Sequence, residues 1–326
     1  MAAPTIYRWD DTDAPSLAGG SERVKGLAEV LEKCLVTGYG SKAAAGWSKQ
    51  FDDAGFNRVF RPASEEFGLR VNDTGTTNTA LFCADAWTDA VTAASPGYWE
   101  QGVTRYFARS NSTVSTTHRP WIVIASPNRC IVIACQSSTS WASSSIATNC
   151  SIMAVGKYVP LRTGMGLTNT LVASHTTTDP VYVALSVIRA FTTGTSPLCY
   201  AVVQRGAFGG VDAYDQAAEP MCIQFGNISG SGYNAAYDFS GRVGYNVDVN
   251  VVDPELQVLD FMLVNYRGHI LGAVPGIQAL ACYVSPANYF QTVTIEGTDY
   301  LMLCTGGSTT ATSQSYHLIN AYSEWP

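Results

Sequence analysis

The feature that most constrains the fold is a pair of short apolar runs separated by turn residues. Residues 121–125 (WIVIA) and 130–135 (CIVIAC) flank a four-residue Ser-Pro-Asn-Arg connection. Both runs are rich in β-branched residues, which is typical of buried strands. A connection of this length is normal for a β-hairpin. The pattern therefore predicts an antiparallel hairpin inside the protein.

Similar short runs recur after residue 40, and Pro, Gly, Asn, Asp or Ser bounds each of them. This punctuation is typical of strands in a meander or sandwich. No repeat of fixed period is visible, which argues against a β-helix or a propeller. We therefore predict a mainly β fold with β-sandwich-like lobes of short antiparallel strands. The predicted strands are residues 58–60, 67–71, 81–84, 101–108, 121–125, 130–135, 151–155, 181–191, 198–204, 221–225, 259–265, 277–284, 289–295 and 300–304.

One amphipathic helix is predicted near the N-terminus. Apolar residues recur there at spacings of three and four, which makes one stripe along a helix. Ser21 is a candidate N-cap and Gly38 a candidate stop. The opposite face is charged, so we expect the stripe to pack against a sheet. The stripe consists of Val24, Leu27, Val30, Leu31 and Leu35.

The chain is predicted to have three parts. Residues 1–20 form an extended arm, residues 21–165 a helix plus a β lobe, and residues 166–326 a second β lobe. The boundary is placed in residues 161–180 because that stretch is rich in turn-forming residues. A single continuous domain after the arm is the alternative. The arm has few residues able to fold alone, so we expect it to order against a neighbouring subunit.

Charged residues are scarce. They make up 14% of the chain, against about 25% in a typical soluble domain. Interface cores are also poor in charge and rich in Tyr and Trp, so this composition fits a protein packed against neighbours. It fits a secreted β-protein with a neutral polar surface equally well. The net charge is −7 and no basic cluster exceeds two adjacent residues, so direct nucleic-acid binding is not expected.

Cysteine usage indicates a reducing compartment. The nine cysteines are an odd number, are scattered singly and include no CxxC pair. Most lie in apolar runs, where a free cysteine behaves as a small hydrophobe. The N-terminal residues lack the basic start and apolar stretch of a signal peptide. No apolar run approaches the roughly 20 residues needed to span a bilayer, so we expect no membrane association.

Residue patterns for metal binding or nucleophilic catalysis are missing. The histidines are far apart and show no zinc-type spacing: His118, His175, His269 and His317. No GxSxG-like elbow occurs. Asp248, Asn250 and Asp253 carry oxygen ligands that suit calcium but lack the Gly and distal Glu of an EF-hand loop, and a strand end is favoured. We expect no catalytic, metal-binding or cofactor-binding residue and no cofactor.

Two further patterns keep other functions open. Acidic side chains occur as Asp52-Asp53, Glu65-Glu66 and the pair Asp212 and Asp215. A glycoside hydrolase needs two carboxylates across a cleft, but these pairs lie in turn-like settings and solvated loops are favoured. Aromatic clusters could form a sugar-binding platform, although core and interface positions are more usual for them. The clusters are Tyr98, Trp99, Tyr106 and Phe107, and Tyr233, Tyr237, Phe239 and Tyr245.

Four motifs carry a resemblance to a known family. They are a "PTIYR…D…AP" arm, "VxGYGxKxAAGW" after the helix, "FRxxxxxFxLRVxD", and "RPWxxIA" in the hairpin. The chain resembles tailed-bacteriophage virion structural proteins over roughly the first 125 residues and only faintly beyond. A weaker match covers residues 267–269 and 274–277, where the family tends to carry an "RG…PG" loop. The matching residues are 4–8, 38–40, Lys42, Gly46, Trp47, Phe60, Arg61, 69–71, Asp73 and 119–125.

The resemblance implies a non-enzymatic structural role with no catalytic residue or cofactor to carry over. It implies a location in the virion after assembly in the bacterial cytoplasm, with copies of the chain and other virion proteins as partners. Head decoration, the head–tail junction and the tail all fit. A tail adhesion module for a host receptor or glycan is the main alternative, and a tailspike-type hydrolase another. The candidate assembly or packing residues are Tyr7, Trp9, Tyr39, Trp47, Arg61, Arg70 and Trp121.

Overall fold

The computed structural model describes residues 3–95, 99, 104–136, 150–160, 169–174, 199–203, 218–222, 257–265, 270–281, 292–295, 297–306, 315–321 and 325. The fold is mainly β, with antiparallel pairing, a β-sandwich-like architecture and one short α-helix near the N-terminus. The predicted fold class is therefore confirmed. Among the described residues, no helix has the length and apolar composition to cross a membrane.

The helical segment has three successive parts. A 3-10 turn at Arg23–Lys25 precedes helix α1 at Leu27–Leu31, and a π-helical turn at Glu32–Thr37 follows it. The strands are β1 Thr5–Arg8, β2 Ser48–Asp52, β3 Asn57–Arg61, β4 Gly68–Asn72, β5 Asn78–Ala84, β6 Ala86–Trp87, β7 Ala93–Ser95, β8 Arg105–Ala108, β9 Trp121–Ser126, β10 Arg129–Cys135, β11 Cys150–Lys157, β12 Val159–Pro160, β13 Asn169–Ser174, β14 Cys199–Val203, β15 Ala218–Cys222, β16 Gln257–Asn265, β17 Ile270–Ala281, β18 Thr292–Ile295, β19 Thr298–Gly306 and β20 Ser315–Ile319.

Two runs of paired strands meet at β13. One run is β2–β3–β4–β5–β8, and the other is β1–β9–β10–β11. β13 pairs with β11 and also with β8. Its other edge pairs with β14, and pairing continues through β15, β16 and β17 to β20, β19 and β18. β12 follows β11 directly and pairs with β17.

The core hairpin is confirmed as β9 and β10. Their register pairs Ser126 with Arg129, so the connection is the two residues Pro127 and Asn128 rather than four. Each strand extends one polar residue beyond its apolar run, to Ser126 in β9 and Arg129 in β10, and both faces of β10 are buried throughout. Alternate residues of the hairpin reach the main core on the helix side. A strand buried on both faces has no need for polar alternation, which explains the continuous apolar runs.

The helix is confirmed, with two corrections. Its buried residues include Leu27, Val30, Leu31 and Leu35, and Gly38 ends it with a left-handed φ of 75°. Val24 is 62% exposed because the chain there forms a separate 3-10 turn. Ser21 is not the N-cap, since the residue preceding α1 is Gly26, which makes no side-chain cap hydrogen bond.

The extended arm is ordered against its own chain. β1 pairs antiparallel with β9, from Thr5 opposite Ala125 to Arg8 opposite Ile122. The expectation that the arm orders against a neighbouring subunit is therefore wrong for this segment. An edge of the core hairpin was available, and the arm fills it.

Several strands lie outside the sequence-based prediction. β2 and β13 were not predicted, and β13 lies within the turn-rich stretch chosen as the lobe boundary. Its partners belong to both predicted lobes. The division at residue 165 stays a prediction. The predicted strand at 181–191 lies outside the described residues.

Candidate functional site

The motif turn after the helix binds the arm. The Tyr39 N–H donates to Lys42 O at 3.1 Å, and the Lys42 N–H donates back to Tyr39 O at 2.8 Å. From this tight turn Lys42 Nζ reaches Ile6 O at 3.0 Å, and the Tyr39 hydroxyl reaches Asp11 Oδ2 at 2.9 Å. The Tyr7 hydroxyl donates to Ala43 O at 2.7 Å. We call Tyr7, Asp11, Tyr39, Lys42 and Trp121 the arm clasp.

Trp121 completes the clasp from the hairpin side. Its Nε1 donates to Pro15 O at 3.0 Å, and its backbone carbonyl accepts from the Trp9 N–H at 3.1 Å. The Tyr39 ring lies 6.4 Å from the Trp121 ring at 78° and 6.0 Å from the Tyr7 ring. Edge-on contact of this kind is favourable between buried aromatic rings. The arm is therefore held by both hydrogen bonds and ring packing.

Two glycines make the motif turn possible. Gly38 and Gly40 have φ values of 75° and 51°, in the left-handed region that favours glycine. A Cβ at Gly40 would lie 2.5 Å from Thr12 O, so the arm backbone passes directly over this residue. The Gly-Tyr-Gly sequence thus combines a tight turn, a close backbone contact and a hydrogen-bonding ring.

Burial changes the acidity of the clasp tyrosines. Burial is the main cause that raises the pKa of Tyr7 and of Tyr39 above the usual range. For Tyr39 the nearby Cys34 and the hydrogen bond to the Asp11 carboxylate add to the shift. Both hydroxyls stay protonated and act as donors, which is what their acceptors require. The arm clasp therefore holds the arm in place through neutral and charge-assisted hydrogen bonds.

A buried ion pair joins the arm, the helix and the turn between β4 and β5. Arg109 Nη1 lies 2.6 Å from Asp73 Oδ1, and the two side chains are 1% and 2% exposed. Arg109 Nη2 donates to Gly20 O at 2.7 Å and to Gly75 O at 2.5 Å. The Thr79 hydroxyl also donates to Asp73 Oδ1. We call Asp73, Thr79 and Arg109 the Asp73 hub.

The hub also supplies the helix cap that the local sequence lacks. Asp73 Oδ2 accepts the Ala28 N–H at 2.8 Å, in the first turn of α1. Gly26 makes room for it, because a Cβ there would lie 2.2 Å from Asp73 Oδ2. A carboxylate at a helix N-terminus satisfies a free N–H and complements the helix dipole. One carboxylate therefore binds the helix, Thr79 and Arg109.

A second charged cluster lies between the helix and strands β2 and β3. Arg58 Nη1 lies 2.8 Å from Glu29 and 3.1 Å from Glu32, and Arg58 Nε lies 3.6 Å from Asp52. Lys49 Nζ lies 2.8 Å from Glu32 and 3.1 Å from Asp52. The Arg58 side chain is 4% exposed, whereas its three carboxylates are partly exposed. We call these five residues the Arg58 network.

The network shifts the pKa of its members in the direction of ion pairing. The hydrogen bond to Glu32 is the main cause that raises the pKa of Lys49. Burial tends to raise the pKa of Asp52, but hydrogen bonds from Lys49 and the Ala54 N–H, with the charges of Arg23 and Lys49, hold it below the usual value. Both groups stay charged, as structural ion pairs do.

The outer face of β3 to β5 carries a smaller cluster that holds the β6–β7 hairpin. Trp87 Nε1 donates to Gly68 O at 3.1 Å. Arg70 Nη1 donates to Val91 O at 2.8 Å, and its guanidinium lies 5.5 Å from the Phe82 ring and 5.6 Å from the Trp87 ring. Burial lowers the pKa of Arg70. The Arg70 guanidinium therefore contacts two aromatic rings and binds the turn of the β6–β7 hairpin.

The candidate residues from the sequence fall into two groups. Tyr7, Tyr39, Trp47 and Trp121 are buried in the main core, and Trp9 is half-buried against it. Trp47 Nε1 donates to Ser126 O at 2.9 Å. Arg61 and Arg70 lie on the outer face, where Arg61 Nη2 donates to Glu65 O at 2.6 Å and Asp85 O at 3.4 Å. The clasp brings Tyr7, Tyr39 and Trp121 together, and the outer pair lies apart from them.

Sequence reasoning missed the Asp73 hub. Asp73 is the last residue of a motif that carries the resemblance, but no spacing rule links it to Arg109, 36 positions later. The available signals were an isolated acid after one strand run and an isolated arginine after another. They identify candidates for burial only once the strands are placed side by side.

Three described members of the predicted acid pairs, Asp52, Asp53 and Glu66, bind polar groups of the same chain. Asp52 belongs to the Arg58 network, and Asp53 Oδ1 accepts the Gly55 and Asn57 N–H groups. Glu66 accepts from Lys157 Nζ at 2.9 Å and from Asn169 Nδ2 at 2.8 Å. Within the described ranges no group of three or more His, Cys, Asp or Glu could hold a metal. Asp212, Asp215, Asp248, Asn250, Asp253, His175 and His269 lie outside the described residues.

The aromatic clusters considered for sugar binding are divided. Trp99 and Phe107 are buried in the main core, and Tyr106 is half-buried. Tyr98, Tyr233, Tyr237, Phe239 and Tyr245 lie outside the described residues. The described contacts therefore join segments of one chain.

No family model matches this chain, and no curated protein matches it either.

Proposed function

We propose that this chain is a non-enzymatic structural component of a tailed-phage virion and acts through subunit contacts. Head decoration, the head–tail junction and the tail are the locations considered. Support comes from the position of the residues that carry the resemblance. Gly38, Tyr39, Gly40 and Lys42 build the turn that binds the arm, and Trp47 bonds to the core hairpin. The motif residues thus hold the arm and the core hairpin in position.

A subunit of an assembly benefits from such fastening. A segment that is free in the isolated subunit loses conformational entropy when the subunit is incorporated, which weakens association. Here the arm is already paired with β9 and clasped by Tyr39 and Lys42. The low share of charged residues, 14%, lowers the desolvation cost of a subunit interface. Both properties favour a preformed building block.

Particle composition tests the proposal. Purified virions of the phage that encodes this chain are digested and analysed by mass spectrometry with labelled standard peptides. We expect the chain to be present at a fixed copy number per particle. Its absence from particles that remain infectious would overturn the proposal. A map of the particle in which the chain is located would then decide among head, junction and tail.

Copy number also separates the structural role from the adhesion alternative. A shell or tube requires many copies, whereas an adhesion device requires few. Glycan-array binding by the purified chain is expected only for the adhesion module. Hydrolysis of a saccharide that is lost on changing Asp52, Asp53, Glu65, Glu66, Asp212 or Asp215 to Ala would contradict both.

A further inference from the structure

β10 and β11 place two cysteines opposite each other. Cys135 is the last residue of β10 and Cys150 the first of β11, and the antiparallel register pairs their Cα atoms. No CxxC spacing links them, so the fold alone brings them together. Cys135 is a buried thiol in this structure.

The pair is of the non-hydrogen-bonded type. The backbone N–H of Cys135 donates to Pro120 O at 2.9 Å, on the β9 side. In a strand the N–H and C=O of one residue point to the same neighbour, so Cys135 offers neither group to β11. Cα atoms at such opposed positions lie about 4.5 Å apart. That separation falls within the roughly 4.4–6.8 Å that a disulfide can span.

The neighbouring positions hold this register. Ala134 is opposite Ser151, and Ile133 is opposite Ile152. Gln136 Nε2 donates to Ser151 Oγ across the two strands, and both residues are buried. A one-residue slip would break this bond and turn the β11 residues to the opposite face. The two cysteine positions are therefore fixed relative to each other.

Cys135 differs in its surroundings from the cysteines of the main core. Burial raises the pKa of the Cys34, Cys83 and Cys130 thiols, which makes them poor nucleophiles. Arg119 lies close enough to Cys135 for their charges to interact; burial lowers the pKa of Arg119, and a Cys135 thiolate opposes that shift. The Arg119 guanidinium thus places a cation near the Cys135 thiol.

We propose that Cys135 and Cys150 are a redox-sensitive pair that closes into a cross-strand disulfide. The oxidant is a low-molecular-weight disulfide. One cysteine thiolate attacks it, releases the first small thiol and forms a mixed disulfide; the second thiolate then displaces the second small thiol. The protein loses two protons and two electrons, and the small disulfide is reduced to two thiols. The bond closes the chain between positions 135 and 150 into a covalent loop.

Access follows from the position of the pair. It is the terminal pair of the β10–β11 ladder, and terminal pairs open locally without global unfolding. Closure of this disulfide is a property of the isolated chain and does not depend on the proposed function. A failure of one therefore leaves the other standing.

Peptide mapping of the wild-type protein is the test. Reduced protein is incubated with oxidised glutathione, unfolded, alkylated and digested with trypsin and chymotrypsin without reductant. Cleavage after Trp141 separates the two cysteines in sequence, so a disulfide appears as two linked peptides that part on reduction. We expect this linked pair, one peptide containing Cys135 and the other Cys150. A wild-type digest without it overturns the proposal.

Variants assign the bond. Cys135→Ala and Cys150→Ala should each abolish the linked peptides. Cys130→Ala is the matched control, because Cys130 is equally buried, is in the same peptide and reaches the main core; it should keep the linkage. Linked peptides that persist in Cys135→Ala would contradict the assignment. The wild-type result stands even where a variant fails to fold.

Discussion

The Asp73 hub and the Arg58 network both bury an arginine, but they pair it differently. Arg109 has one carboxylate partner, and both side chains are almost fully buried. Arg58 is almost as deeply buried, but three partly exposed carboxylates surround it. The hub concentrates several bonds on Asp73, whereas the network shares its charge among Glu29, Glu32 and Asp52. The Arg58 guanidinium therefore has three carboxylate partners, whereas among the described residues the Arg109 guanidinium has only Asp73.

This difference determines what a single substitution does. Removal of one partner of a buried ion pair lowers the free energy of unfolding by about 3–5 kcal/mol, because the remaining charge stays desolvated. Ion pairs open to solvent are worth about 0–1 kcal/mol, because water and neighbouring charges compensate. We therefore expect the hub to be sensitive at each member and the network to tolerate the loss of any one carboxylate.

Asp73→Ala should have the largest effect. The change leaves the Arg109 cation buried, removes the acceptor of Thr79 and uncaps the first turn of α1. We expect a loss of about 3–5 kcal/mol in the free energy of unfolding. Urea unfolding followed by tryptophan fluorescence measures it.

Asp52→Ala is the matched control for that substitution. It removes a carboxylate of the same type from Arg58, but Glu29 and Glu32 remain within 2.8 and 3.1 Å of the guanidinium. Equal losses of unfolding free energy in the two variants would show that the number of bonds made by one carboxylate does not determine the effect of its removal. The comparison between hub and network would then be wrong.

Gly26→Ala tests the close approach of Asp73 to the helix. The φ of Gly26 is −82°, which any residue adopts, so only the added Cβ matters. It would lie 2.2 Å from Asp73 Oδ2 and push the carboxylate off the Ala28 N–H. Overpacking of this kind costs about 1–3 kcal/mol. A chemical-denaturation midpoint that stays at the wild-type value would contradict it.

Gly55→Ala serves as the control for added volume. There the new Cβ would lie 3.0 Å from Asp53 Oδ1, the end of an exposed side chain that can move. We expect a smaller loss than in Gly26→Ala. Similar losses in both variants would point to a general cost of replacing glycine.

The two regions also show what the sequence could predict. The buried helix stripe followed from local periodicity, because burial repeats with the geometry of the helix. The hairpin followed from two continuous apolar runs on either side of turn residues. The Arg58 network joins the helix to β2 and β3, and the hub joins the arm, the helix and β4 to β8. Contacts of this kind depend on which strands become neighbours, and local periodicity does not contain that information.

The helix start illustrates the same limit. A local rule assigns the cap to Ser21, since Ser is a preferred N-cap residue. The structure uses Asp73 instead, 45 positions from Ala28. A distant carboxylate can replace a local cap because the N–H groups need an acceptor, whatever its place in the chain. Glycine is favoured at position 26 because a side chain there would collide with the Asp73 carboxylate. This role becomes apparent only when Asp73 is placed next to the helix.

Tyr39→Phe should have an intermediate effect that depends on pH. The hydroxyl bond to Asp11 joins a buried donor to a half-buried acceptor. We expect a loss of about 1 kcal/mol at neutral pH. Burial, then the nearby Cys34 and the Asp11 bond, raise the pKa of Tyr39.

The sign of the pH dependence follows from that shift. Tyrosine in the unfolded chain ionises near pH 10, whereas folded Tyr39 keeps its proton at higher pH. The stabilisation is therefore complete below about pH 10 and is lost as the pH rises further. The difference between wild type and Tyr39→Phe should shrink between neutral pH and about pH 11, while other groups titrate alike in both. A difference that grows with pH would contradict the hydrogen-bond assignment.

Asp52→Asn should have the smallest effect and the opposite pH dependence. The pKa of Asp52 is held below its usual value, so its contribution is present above about pH 4 and is lost as the pH falls through the folded-state pKa. We expect less than about 1 kcal/mol at neutral pH, because Arg58 keeps two carboxylates and solvent screens the third. Urea unfolding of both proteins at neutral pH and near pH 3 measures the difference, which should be smaller in acid. A loss as large as that of Asp73→Ala would mean that Asp52 alone balances the buried Arg58, and the network would then be a second hub.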